Sequence, residues 1–144
     1  MTIVLAVVAS GCGPFPVPPS PSFPPVDPAM LDLNVSNGTT LPVAITVNGQ
    51  DIGVVRPGAE LTVPTGVLPP MPWTVDARSP SGRLLTTITA HREDIRQVDL
   101  GNGATQMSGS GARVDLSCGR LDVWVGVRPL GPVPGPGTPG DCAP

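Results

Sequence analysis

The sequence predicts an all-β fold, an antiparallel sandwich, with a small β-barrel as the alternative that strand counting leaves open. Three observations predict it. Apolar and polar residues alternate through most of residues 30–128. Clusters of Gly, Pro, Asn and Ser recur at roughly eight- to twelve-residue intervals, the spacing of short strands joined by turns. Finally, no stretch of that region carries convincing amphipathic helical periodicity.

Leu31, Leu33 and Val35 alternate with Asp32, Asn34 and Ser36, the pattern of a half-buried strand. Asn37-Gly38-Thr39-Thr40 reads as a turn. Leu41, Val43, Ile45 and Val47 resume the alternation, and Asn48-Gly49 supplies the two left-handed positions of a type I′ hairpin leading into residues 52–55. Arg56-Pro57-Gly58-Ala59 is the next turn, and Leu61 and Val63 belong to the next strand. Residues 64–72 form a longer, proline-rich connection. Trp73, Val75 and Ala77 alternate again; Ser79-Pro80-Ser81-Gly82 turns; Leu84, Thr86, Ile88 and Ala90 follow. Residues 91–97 are charged and suit a short helical turn before residues 98–100. Residues 101–111 are the least patterned and are expected to form a loop. Val114 and Leu116 lead to a turn at Cys118-Gly119, and Leu121, Val123 and Val125 pair back with Trp124 on the opposite face. About seven to nine strands result, in the immunoglobulin-like or fibronectin III-like general architecture.

Composition narrows the function classes. Phe15 and Phe23 precede the patterned region, so Trp73 and Trp124 are its aromatics and Val, Leu and Ile supply the rest. Every basic residue is arginine, the arginines are scattered singly, and the net charge is −3. Nucleic acid is therefore excluded as a partner, because phosphate neutralisation needs a basic patch. Electrostatic adhesion to anionic lipid is equally unsupported. Heavy use of Pro, Gly, Val and Ala with no lysine fits a GC-rich genome.

Residues 2–9 form an unbroken apolar run, far short of the ~20 residues that span a bilayer as a helix. Such a run matches the hydrophobic segment of a secretory signal. Ala9-Ser10-Gly11-Cys12 resembles the lipobox of bacterial lipoproteins. The resemblance implies a signal peptide over residues 1–11 and a Cys12 carrying fatty acyl chains such as palmitate. No Arg or Lys precedes the run, so the translation start is expected upstream. A buried strand over residues 1–12 is the plainer reading, but the prolines that follow leave it little to pair with.

Residues 12–29 comprise that cysteine and a stalk with Pro14, Pro16, Pro18, Pro19, Pro21, Pro24, Pro25 and Pro28. Polyproline II extension at ~3.1 Å per residue carries it roughly 50 Å. A spacer is expected; a PxxP ligand at Pro16-Val17-Pro18-Pro19 is the sharper alternative. Residues 129–144 form a second Pro/Gly-rich segment.

The chain has three cysteines. With Cys12 acylated, Cys118 and Cys142 remain as one pair in an oxidising compartment, and their disulfide would pin the tail to the body. In the chain-entropy account such a loop is worth roughly 3 kcal/mol. Two cysteines and the lone His91 make no closed zinc set without carboxylate help, so no metal or other cofactor is expected.

The segments at residues 45–53, 72–78, 81–83 and 113–119 look like those of small lipoproteins of GC-rich bacteria, and the likeness covers most of residues 31–125. It implies a fold and an extracytoplasmic, lipid-anchored location, not an activity. Chemistry is thinly represented. His91 is the single histidine, no Gly-x-Ser-x-Gly elbow is present, and no glycine-rich loop opens a helix to cradle phosphate. Asn34-Val35-Ser36 and Asn37-Gly38-Thr39 match glycosylation sequons, for which turn chemistry is the simpler reading. The expectation is a non-catalytic binding or structural module anchored through Cys12 to the lipid bilayer, meeting an envelope protein or cell-wall polymer. An envelope-bound hydrolase and an accessory subunit of a secreted complex are the alternatives. Its contact residues are expected to be Met71, Trp73 and His91, on loops held away from the anchor, with the loop at residues 101–111 as a second surface.

Overall fold

The computed structural model of the chain describes residues 31–131 and 139–142. The expected signal peptide over residues 1–11, Cys12, the expected stalk and part of the tail lie outside the described residues.

Among the described residues ten strands run in the order β1 (Leu33–Thr39), β2 (Val43–Val47), β3 (Gln50–Val55), β4 (Glu60–Val63), β5 (Trp73–Arg78), β6 (Leu84–Ala90), β7 (Gln97–Asp99), β8 (Thr105–Met107), β9 (Ser110–Leu116) and β10 (Gly119–Val125). All pairs are antiparallel. One sheet has the order β4-β1-β10-β9, a second β3-β2-β5-β6, and β7 and β8 make a separate ribbon. The two large sheets form a sandwich, and among the described residues no barrel closes. β6 and β9 approach along one side, where the Ser110 hydroxyl donates to the Thr89 carbonyl at 3.0 Å.

Side-chain alternation explains the core. Leu33 and Val35 of β1, Val43, Ile45 and Val47 of β2, Trp73, Val75 and Ala77 of β5, and Leu121, Val123 and Val125 of β10 point inward and are buried together. Buried Leu31, Ile88, Ala90 and Ile95 complete the cluster. Each fully buried aliphatic side chain contributes about 2 kcal/mol of transfer free energy, so this alternation is the main driving force for stacking the sheets. The Asn48-Gly49 turn has φ of 50° and 79°, the two left-handed positions expected of its hairpin. β3 carries one extra residue, Ile52, against β2, since Ile45 faces Gly53 and Thr46 faces Asp51. That bulge twists an edge strand and hinders edge-to-edge association.

Two expectations change here. The turn expected at Asn37-Gly38-Thr39-Thr40 is strand as far as Thr39, and the chain turns at residues 40–42. Asn37 is buried yet fully partnered. Its amide donates to the carbonyls of Leu41 (2.7 Å) and Val55 (2.9 Å), and its side-chain oxygen accepts from the backbone N–H (3.0 Å) and hydroxyl (2.7 Å) of Thr39. The residue therefore latches β1 to β3 across the two sheets, and tertiary bonding overrides local turn preference. Second, residues 101–111 are not one loop: they hold β8 and the start of β9. A short 3-10 turn at Arg92–Asp94 and the strand Gln97–Asp99 do occupy the charged segment before them.

Register defines two ends. Leu33 faces both Val63 and Val125, Val125 faces Ser110, and Trp73 faces Ala90. The near end, where the chain enters at Leu31, therefore carries the Asn48-Gly49 turn, residues 64–72 and residues 91–109. At the far end lie residues 40–42, 56–59 and 79–83 and the Cys118-Gly119 turn. Gly119 has φ of 130°, and a Cβ there would run into the Gly38 carbonyl, so only glycine fits that crossing.

Candidate functional site

Pairing of Trp73 with Ala90 brings the residues just before β5 beside those just after β6. Met71 and His91, far apart in sequence, thereby line one open groove of about 390 Å³ with Pro70, Pro72, Arg92 and Glu93. The connection is held in place locally. The Asn48 side chain accepts from Thr74 N–H at 2.8 Å and donates to the Pro72 carbonyl at 3.2 Å, and the Met71-Pro72 peptide is cis. Asp32 accepts from the Thr65 backbone N–H at 3.0 Å, tying the start of this connection to the chain's entrance.

Trp73, expected at the surface, is fully buried. Its indole N–H donates to the Pro69 carbonyl at 2.6 Å, so the ring anchors the connection from inside and offers nothing to a ligand. The inward parity of Trp73, Val75 and Ala77 already carried this signal. His91 is exposed, with Nδ1 at 3.9 Å from Glu93 Oε1, and its backbone N–H donates to Asp94 Oδ2 at 2.9 Å. No serine, threonine or cysteine lines that groove, so His91 has no nucleophile there to activate.

A second hollow, about 530 Å³, adjoins the first through Glu93 and is lined by Asp94, Arg96, Val98, Ser108, Gly109 and Ser110. Ser108 is committed to structure: its hydroxyl donates to the carbonyls of Asp94 (2.7 Å) and Arg96 (3.0 Å). These loops lie at the near end, where the described chain begins at Leu31.

At the far end a third hollow, about 460 Å³, lies on the outer face of the second sheet among Pro42, Ala44, Val54, Arg78, Ser79, Pro80 and Gly82. Val54 pairs with Ala44, Ala44 with Arg78 and Arg78 with Leu84, giving a mainly apolar row across four strands. One register step nearer the chain's entrance the face turns polar, with Asp51, Thr46, Asp76 and Thr87 in line. The Thr87 hydroxyl and the Arg78 guanidinium (2.9 Å) hold the Asp76 carboxyl below its ordinary value.

Cys118 and Cys142 form a disulfide with Cα atoms 5.9 Å apart. The tail thus leaves β10 at the near end and is fastened at the far end, where Arg83 also donates to the Gly140 carbonyl at 3.1 Å. Among the described residues no group of three or more His, Cys, Asp or Glu is placed to hold a metal ion. No helix among them is long and apolar enough to cross a membrane. No family model, curated protein or solved structure matches the chain.

Proposed function

We propose that the chain is a membrane-anchored extracytoplasmic lipoprotein that displays a non-catalytic β-sandwich as a binding or structural module. The disposition of the cysteines carries this reading. Cys118 and Cys142 satisfy one another within the domain, which leaves Cys12 as the unpaired third, directly after an apolar segment and small residues. A disulfide that secures a Pro/Gly-rich tail suits an oxidising compartment. Acylation of Cys12 gives the remaining cysteine a role and provides the attachment that scattered arginines cannot. The partner is an envelope protein or cell-wall polymer. With the near end turned towards the anchor, the far-end row of Val54, Ala44 and Leu84 is the surface presented outward.

Fractionation and fatty-acid labelling of the wild-type chain and Cys12→Ala test the reading. The wild type is expected in the membrane fraction with label, and the variant in the soluble fraction or medium without it. Unchanged membrane retention of the variant would overturn the anchor.

A further inference from the structure

We propose that the β7–β8 ribbon is an interfacial finger that rests on the surface of the bilayer to which the chain is anchored. The proposal depends on the lipoprotein reading above. Its evidence, however, is separate.

The ribbon stands apart from both sheets. Its base is rigid: Ile95 is buried in the core, Ser108 N–H donates to the Arg96 carbonyl at 2.8 Å, and Arg96 N–H donates to the Ser108 hydroxyl at 3.0 Å. Beyond that base nearly every residue is exposed. A two-stranded ribbon alone in water is marginally stable, so it gains from a surface to lie on.

Its two faces differ. Val98 faces Gln106, Asp99 faces Thr105 and Gln97 faces Met107, so Arg96, Val98, Leu100 and Gln106 share one face while Gln97, Asp99, Thr105 and Met107 share the other. Val98 is 36% exposed and Leu100, next to the Gly101-Asn102-Gly103 tip, is 53% exposed. Val127, 40% exposed, lies beside the ribbon's base, where its backbone crowds Gly109. Exposed aliphatic groups near a tip are the chemistry that enters the headgroup–acyl boundary; Arg96 behind them shares its hollow with Glu93 and Asp94, so the contact is apolar rather than electrostatic.

The length of chain before the domain, and where it ends, identify the occupant. Nineteen peptide steps separate Cys12 from Leu31, and Leu31 enters the sandwich at the ribbon's end. At full polyproline extension they reach roughly 60 Å. An acylated Cys12 therefore confines the ribbon near its own bilayer at high effective concentration, so even weak apolar contact is populated.

The test uses the acylated chain beginning at Cys12, reconstituted in vesicles of phosphatidylethanolamine and phosphatidylglycerol, with amide hydrogen exchange of residues 98–104 as the readout. The same chain with Cys12→Ala, in buffer, is the free reference. Exchange in the ribbon is expected to slow roughly fivefold on vesicles. Leu100→Asp should return it to the free rate while the acyl chain keeps the protein on the vesicle, and Asp99→Asn, on the opposite face, should leave protection intact. Vesicle-bound protein whose ribbon exchanges at the free rate overturns the finger and leaves the anchor standing. A wild-type chain that carries no acyl group and fails to float with vesicles overturns both.

Discussion

Arg128 grips Asp122 through two hydrogen bonds to one carboxylate oxygen, Nε at 3.0 Å and Nη2 at 2.6 Å. Arg113 takes the other oxygen at 2.9 Å, and the Arg128 guanidinium lies 4.8 Å from the Trp124 ring centroid. Asp122 sits on the outward side of β10, yet its side chain is only 1% exposed because these neighbours cover it. This grip fixes the start of the tail against the sheet, as the Cys118–Cys142 bond fixes its end.

Asp122→Asn should destabilise the domain by about 2 kcal/mol. Removing one side of a buried ion pair usually costs more, but both arginines retain water and can rehydrate. Urea unfolding measures the loss, and limited proteolysis should show faster cleavage after Val125. An unchanged midpoint would mean that the cluster contributes nothing net.

Asn37→Ala should cost about 3 kcal/mol, because it strips partners from buried backbone groups on two strands at once. Asn34→Ala in the same strand is the control. Its side chain bonds to the Asp32 carbonyl and the Thr62 hydroxyl at the solvated surface, so its loss should cost about 0.5 kcal/mol or less. Equal midpoints for the two variants would refute the latch.

The Asp76 carboxyl is held below its ordinary value by Thr87 and then Arg78, which fixes the sign of its pH effect. A depressed folded-state value adds stability that is present above the unfolded carboxylate range and is lost as pH falls through the folded value. Wild-type Tm should therefore drop on acidification below about pH 4. Asp76→Asn should start lower at neutral pH and lose less on acidification. Parallel Tm profiles for the two proteins would contradict this assignment.

Strands with strict alternation were readable from residues alone. Leu33 and Val35, Val43 to Val47 at every second position, Trp73 to Ala77, and Leu121 to Val125 lie on the core faces that their parity requires. The Asn48-Gly49 hairpin was equally readable, since few dipeptides supply two left-handed positions. Asn37 misled because its neighbours spell a turn, whereas its true partner, the Val55 carbonyl, is eighteen residues away. The strand β8 was missed because three residues, two of them exposed and polar, are too short a run to show alternation. Of the expected site residues, Met71 and His91 meet in one groove through the register of β5 on β6, a fact absent from either local segment.

The cysteines show where the boundary falls. Once the lipobox-like run had set Cys12 aside for acylation, Cys118 and Cys142 were the pair left to expect, and they are the pair that is bonded. Composition and alternation likewise determined an all-β fold with singly scattered arginines, since both are properties of the chain read residue by residue, and left sandwich and barrel open. Only the tertiary structure decided which end the chain enters, that the Trp73 indole is tied to the Pro69 carbonyl, and that Asp122 is buried beneath Arg113 and Arg128. Each of these depends on which strands lie side by side. Strand order is set by the summed packing and hydrogen bonding of distant segments, and no local pattern encodes it.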